Sequence, residues 1–164
     1  MVEMEIDRSL DAYFPELDLG ECDLAAMGLA YANISVFDRW LSEGEAESNP
    51  LMSYSIAMDA GKLDDYLAGE HKFLSLYRVL GQRGVICNRP GPLRKFDRID
   101  AQLEQILKGS LREKRFADVH FVDFGVRVIG GYDRTDLIVA ESSELLDLLS
   151  PEVAKCGLFM LPLK

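Results

Sequence analysis

The spacing of apolar residues predicts helices in most of the first two thirds of the chain. From residue 22 to residue 41, apolar side chains recur at steps of three and four, which is the period of one helical face. The same spacing predicts helices over residues 61–82 and 93–108. Residues 42–50 are rich in glutamate, glycine, asparagine and proline and indicate an exposed loop, whereas residues 51–58 fit either a strand or the start of a helix.

The hydrophobic period changes in the last third of the chain. Three β-branched and aromatic runs separated by glycines predict neighbouring antiparallel strands over residues 116–124, 126–129 and 137–140. Ser142 is suited to cap one helix and Pro151 to begin another, and residues 158–161 form an apolar strand that we expect to insert into the sheet. The predicted fold is α+β, with N-terminal helices packed on one face of a small, mainly antiparallel C-terminal sheet in the order β-β-β-α-β.

Length and composition fit one domain that spans residues 1–164. The chain has 48% hydrophobic and 28% charged residues, which is ordinary for a globular protein, and it shows no internal repeat or linker composition. Three widely spaced cysteines predict free thiols in a reducing compartment. The acidic N-terminus does not resemble a signal peptide, and no apolar stretch approaches the roughly 20 residues that span a bilayer. We therefore expect a soluble, cytoplasmic protein that does not enter a membrane.

Charge is unevenly distributed along the sequence, although the whole chain has a net charge of −10. Residues 1–70 carry 16 acidic and 3 basic side chains, residues 71–116 carry 4 acidic and 11 basic ones, and residues 117–164 carry 8 acidic and 4 basic ones. An acidic surface attracts cationic proteins and repels polyanions at long range. The charge pattern thus favours a basic protein as partner.

Two acidic clusters are the candidate partner-binding residues. They comprise Glu16, Asp18, Glu21 and Asp23 near a predicted helix start, and Glu43, Glu45 and Glu47 in the predicted loop. The first cluster also suits the helix dipole, and either cluster could serve solubility alone. The leading hypothesis is a small acidic protein that neutralises a basic partner, as a bacterial immunity or antitoxin protein blocks the active site of a toxin. This hypothesis rests on size, charge and the lack of a catalytic motif.

An alternative hypothesis is an enzyme or small-ligand protein that uses the C-terminal sheet. Asp118 and His120 alternate on one predicted strand, so the carboxylate could orient the imidazole as a general base, with Arg127 on the next strand. In the loop of residues 133–136, Asp133 and Arg134 follow two glycines, and such a turn could hold a phosphate or carboxylate. The competing interpretations are a solvent-facing polar stripe and an ordinary glycine-rich hairpin turn.

A third hypothesis is a nucleic-acid-binding adaptor that uses the basic span of residues 72–95. Its cations are interleaved with aromatic residues that could stack on bases: Lys72, Arg78, Arg83, Arg89, Arg94 and Lys95. The net charge disfavours nucleic acid, and the aromatic residues also fit helical core positions. Neither the two histidines nor the three isolated cysteines have zinc-site spacing, and there is no nucleophile elbow or nucleotide-binding motif. We therefore predict neither metal nor cofactor and favour binding over catalysis.

Overall fold

The structure, a computed structural model, describes residues 10–17 and 24–162 and shows a mixed α+β protein. Its described strands are β1 (Ala30–Ser35), β2 (Val85–Arg89), β3 (Arg94–Phe96), β4 (Asp118–Phe121), β5 (Val126–Ile129), β6 (Thr135–Ala140) and β7 (Phe159–Leu161). They form one sheet in the order β3-β2-β4-β5-β6-β1-β7, and every neighbouring pair is antiparallel. The α+β prediction is confirmed. The prediction of a small C-terminal sheet preceded by helices was wrong, because the sheet is large and takes strands from both halves of the chain.

Strand β1 lies where the sequence predicted a helix over residues 22–41, so that prediction was wrong. A short 3-10 helix, Leu24–Met27, precedes the strand, which pairs with β6 on one side and β7 on the other. Ala32 and Ile34 project from the strand into the hydrophobic core. These two side chains alternate with the period of a strand. The strand conformation depends on pairing with distant strands, and the local spacing of apolar residues does not reveal that pairing.

The helix predicted over residues 93–108 starts later than its apolar spacing indicated. Residues Arg94–Phe96 pair with β2 as the edge strand β3. Helix α4 then runs over Ala101–Leu111, and the side chain of Asp100 caps it by accepting a hydrogen bond of 2.8 Å from the Leu103 N–H. The cap sets the start of the helix, because a short acceptor outside the first turn satisfies an otherwise unpaired amide.

The exposed loop predicted over residues 42–50 is instead a short helix, α1, over Glu43–Ser48. The hydroxyl of Ser42 accepts a hydrogen bond from the Glu45 N–H, and the Glu45 carboxylate accepts one from the Ser42 N–H, each at 3.1 Å. This reciprocal capping box favours helix despite the glycine within it. Residues Tyr54–Asp59 form helix α2, which settles the strand-or-helix alternative for that stretch.

Two long helices cover the sheet. Helix α3 spans Leu63–Leu80, which confirms the helix predicted there, and helix α5 spans Ser143–Lys155 behind the predicted cap Ser142. The prediction that a second helix would begin at Pro151 was wrong, because α5 continues through it. One face of α5 stays buried across the proline, and this continuous burial favours a single helix over a break.

The hydrophobic core lies between one face of the sheet and helices α3, α4 and α5. Alternate residues of the central strands belong to it: Val119, Phe121, Val126, Val128, Ile138 and Ala140. The residues between them project to the opposite face, since neighbouring side chains of a strand point to opposite sides. That second face carries His120 and Arg127, and residues 10–17 lie over it with Tyr13 against the His120 ring. Thus one face builds the core and the other presents polar groups.

Candidate functional site

An acidic groove lies where β1 ends and β6 begins. It has a volume of about 460 Å³. Its lining comes from the end of β1 and the segment after it, from α1 and the loop that follows, and from the start of β6 with the turn before it: Ser35, Phe37, Arg39, Trp40, Leu41, Ser42, Glu43, Ala46, Glu47, Met52, Asp133 and Thr135. Ser35 and Thr135 are opposite each other in the β1–β6 ladder, and their hydroxyls are 3.1 Å apart. Strand pairing therefore brings the two distant segments of the groove together.

The three glutamates of α1 have different positions. Glu43 and Glu47 are four residues apart, lie on one helical face and line the acidic groove. Glu45 instead accepts hydrogen bonds from the Arg39 guanidinium, which lowers the pKa of this carboxyl to about 2, with a further contribution from the Ser42 backbone N–H. Glu45 therefore stabilises the start of α1, and Glu43 and Glu47 are left to face the groove.

Asp133 reaches the acidic groove from a tight turn between β5 and β6. Asp133 and Arg134 both have positive φ, near 60°, and the Thr135 N–H donates to the Tyr132 carbonyl at 3.3 Å. This is the geometry of a type I′ hairpin turn. The Asp133 N–H is fixed by Glu113 Oε1 at 2.8 Å, so the turn is held from outside the hairpin.

The chemistry of the groove suits a cationic side chain. Within the described part of the chain, the carboxylates of Glu43, Glu47 and Asp133 make no ion pair or side-chain hydrogen bond. Phe37 and Trp40 line the groove beside them, and an aromatic face attracts an ammonium or guanidinium group. Trp40 is held by its indole N–H, which donates to the Pro162 carbonyl at 2.7 Å.

Of the other predicted acidic residues, the structure describes Glu16 alone. Glu16 lies in residues 10–17 and lines a different cavity. Asp18, Glu21 and Asp23 lie outside the residues that the structure describes.

Asp118 and Arg127, predicted as part of the alternative ligand site, form a buried ion pair on the second face of the sheet. Arg127 Nε and Nη2 donate to the two Asp118 oxygens at 2.8 and 2.7 Å, and Asn88 Nδ2 donates to Asp118 Oδ2 at 3.2 Å. The two charged side chains are 11% and 7% exposed. Each charge is therefore largely satisfied by the other.

His120 lies directly opposite Arg127 in the β4–β5 ladder. The rings of Tyr13 and Phe14 are 4.6 and 6.5 Å from its imidazole, and its Nδ1 is buried with no hydrogen-bond partner in the described structure. Burial, followed by the charge of Arg127, lowers the pKa of His120 to about 4. The imidazole is therefore neutral at pH 7, and residues 10–17 cover it.

Arg134 is remote from this group and is buried against α3. Its guanidinium donates to the carbonyls of Tyr66 at 2.8 Å and Leu51 at 3.3 Å, and its Cζ lies 4.1 Å from the centre of the Tyr66 ring. The Gly131 N–H of the same loop donates to Asp136 Oδ1 at 3.2 Å. These groups are committed to internal contacts, and the structure thus divides the alternative ligand site among three places.

The basic span is distributed over α3 and the β2–β3 hairpin. Arg78 pairs with Glu104, and Arg83 lies 4.0 Å from Asp123. Arg94 donates to two proline carbonyls and lies over the Phe96 ring. Part of this positive charge is therefore satisfied locally.

Sequence reasoning missed Phe37 and Trp40 as groove residues, because it placed both in the helix predicted over residues 22–41. No local signal marks them, since their position depends on β1 ending at Ser35 and on the pairing of that strand with β6.

Searches for related proteins identify no relative of this chain: no protein-family model matches it, and neither does any curated protein or solved structure. Among the described residues there is no group of three or more histidine, cysteine, aspartate or glutamate side chains arranged to hold a metal ion. Over the same residues, no helix has both the length and the apolar character needed to cross a membrane. Cys87 and Cys156 are free thiols.

Proposed function

We propose that this protein is a binding protein that neutralises a basic protein partner, and that the acidic groove receives a lysine or arginine side chain of that partner. The observation that carries the proposal is the convergence of Glu43, Glu47 and Asp133 on one groove beside Phe37 and Trp40. A cationic side chain placed there would meet carboxylates and aromatic faces together, and partly desolvated contacts of both kinds favour binding.

The net charge of −10 supports the same proposal at longer range. An acidic surface accelerates the encounter with a cationic protein, and the effect weakens as salt shortens the screening length to about 10 Å at 0.1 M. Steering of this kind suits a stoichiometric inhibitor that covers a basic active surface, as immunity and antitoxin proteins do. In this proposal the groove fixes the register of the complex and the remaining acidic surface supplies the rate of association.

The test uses three full-length proteins as baits in native lysate. The first is the wild-type chain, and the second carries Glu43→Gln, Glu47→Gln and Asp133→Asn. The third is a control with Asp59→Asn, Asp97→Asn and Asp147→Asn, which changes the net charge equally at exposed positions outside the groove.

We expect one basic protein to bind the wild-type chain and the control stoichiometrically, and to bind the groove variant at least about tenfold more weakly, as the loss of a charge-assisted contact implies. Titration calorimetry on the purified pair measures the difference. If the groove variant and the control bind this protein equally, or if no basic protein is captured, the proposed function is wrong.

A further inference from the structure

Residues 10–17 lie across the second face of the sheet, and their polar and aromatic contacts to it are concentrated around Arg127 and His120. The Pro15 carbonyl accepts a hydrogen bond of 2.7 Å from Arg127 Nη1, and the Arg127 Cζ lies 5.2 Å from the centre of the Phe14 ring. Tyr13 packs on His120, the residue opposite Arg127 in the sheet. Two neighbouring side chains of the sheet therefore make the main polar and aromatic contacts to this segment.

The surface beneath the segment is held in place by the sheet itself. Asp118 binds Nε and Nη2 of Arg127 in a two-point contact, and Asn88 supports the carboxylate from β2. The guanidinium is thereby fixed with Nη1 directed at the Pro15 carbonyl. A planar guanidinium oriented by its own carboxylate is a preorganised donor, which lowers the entropic cost of binding an acceptor.

Within the part of the chain that the structure describes, residues 10–17 leave space beside them on this face. Cavities of about 110 and 360 Å³ adjoin it, and Pro15, Leu17 and Arg127 line both of them. In addition, Tyr13 covers a histidine whose buried Nδ1 has no partner in the described structure, and a buried polar atom without a partner costs free energy. As far as the described residues show, the site around Arg127 and His120 is therefore larger than residues 10–17 and imperfectly matched to them.

The charged residues of the larger cavity indicate which kind of peptide fits this site. Glu16 lines the larger cavity together with Arg89, whose side chain is exposed. An acidic residue after the proline would thus lie near a cation of the sheet. The occupying segment combines two aromatic rings, a proline carbonyl and a carboxylate in four consecutive residues.

We infer that the second face of the sheet around Arg127 and His120 is a binding site for an extended acidic peptide of a partner protein. Such a peptide carries an aromatic–proline sequence, and residues 10–17 occupy the site as an intramolecular ligand. This site shares no lining residue with the acidic groove, and it recognises a peptide of opposite charge. A partner peptide competes with the tethered segment, so its apparent affinity is its intrinsic affinity multiplied by the fraction of molecules in which the segment has left the site.

The probe is a fluorescein-labelled peptide with the sequence of residues 10–17, titrated into full-length protein and followed by anisotropy. The wild-type chain is compared with a Tyr13→Ala/Phe14→Ala variant, which weakens the internal segment and leaves the face of the sheet unchanged. We expect the variant to bind the peptide about tenfold more tightly than the wild type. The same peptide carrying Phe14→Ala is the matched control and should bind the variant much more weakly.

Three results would overturn the inference. The first is failure of the peptide to bind the variant while circular dichroism and thermal melting show that it is folded. The second is equal affinity for wild type and variant, or for the two peptides. The third is dimerisation of the wild-type chain at micromolar concentration that the Tyr13→Ala/Phe14→Ala change abolishes. This result would mean that the face around Arg127 and His120 binds a second copy of the chain.

Discussion

Two buried carboxylates of this protein have partners of different kinds. Glu70 accepts two hydrogen bonds from the Arg112 guanidinium, at 2.9 and 3.0 Å, so its charge is paired. Asp136 has neutral donors, the Tyr77 hydroxyl and the Gly131 N–H. Burial raises the pKa of Asp136 to about 6, and these hydrogen bonds oppose the shift without cancelling it. The folded protein therefore holds a carboxyl that keeps its proton to a higher pH than an ordinary aspartate does.

This raised pKa predicts how Asp136→Asn changes the dependence of stability on pH. The pKa of Asp136 is higher in the folded chain than its ordinary value of 3.8, so the folded state binds more protons between those values. Stability from this group is present at low pH and is lost as pH rises through about 6. An amide still accepts from Gly131 and can donate to the Tyr77 oxygen.

We expect Asp136→Asn to gain about 1 kcal/mol of unfolding free energy relative to wild type on going from pH 5 to pH 7. Urea unfolding of both proteins at several pH values measures this change, and comparison with wild type cancels the other titrating groups. A difference between the two proteins that stays constant over this range would show that Asp136 titrates normally.

At the scale of the element, helix α3 contains a glycine because a buried arginine lies against it. A Cβ added to Gly69 would lie 2.5 Å from Nη2 of Arg134. Arg134 is 7% exposed, and its guanidinium is fixed by two backbone carbonyls and the Tyr66 ring. The close approach of the β5–β6 turn to α3 thus depends on the missing side chain.

Gly69→Ala therefore has the opposite effect from an ordinary glycine replacement in a helix. Alanine in a helix is favoured by roughly 1 kcal/mol, but here it displaces a hydrogen-bonded guanidinium, and we expect a net loss of about 1–2 kcal/mol. The control is Gly109→Ala in α4, where a new Cβ meets nothing within 4 Å and should stabilise the protein. Urea denaturation tests both, and stabilisation by Gly69→Ala would mean that Arg134 moves aside at little cost.

Local patterns predicted those elements that local chemistry determines. The caps at Ser142 and the long apolar face of α3 were visible in sequence, as were the glycine-separated strands β4, β5 and β6. Strand β1 was missed because its apolar residues fit helical spacing, and its partners in β6 lie at least 100 residues away along the chain. Helix α1 was missed because a loop composition concealed the capping box of Ser42 and Glu45.

At the scale of the whole molecule, the fold brings together charged residues that are far apart in the sequence. The β1–β6 register places Ser35 opposite Thr135 and so brings Asp133 beside the acidic helix α1. The sequence indicated Glu43 and Glu47 as candidates and placed Asp133 in a separate hypothesis. Their convergence could not be predicted, because it depends on one long-range strand pairing that no local pattern records.

That pairing predicts the pattern of amide hydrogen exchange over the sheet. Strand β1 is paired with a neighbouring strand on each side. Strands β3 and β7 are the two edges of the sheet that the structure describes, so each has only one neighbouring strand there, and each is three residues long. We expect amides of β1 and β6 to exchange through one opening whose free energy approaches that of global unfolding, and the edge strands to open at least roughly 2 kcal/mol more easily. Native-state exchange in increasing urea measures these free energies, with the hairpin β4–β5 as the internal reference. Fast exchange of β1 alongside slow exchange of that hairpin would show that the acidic groove opens independently of the core, since Ser35 at the end of β1 lines the groove.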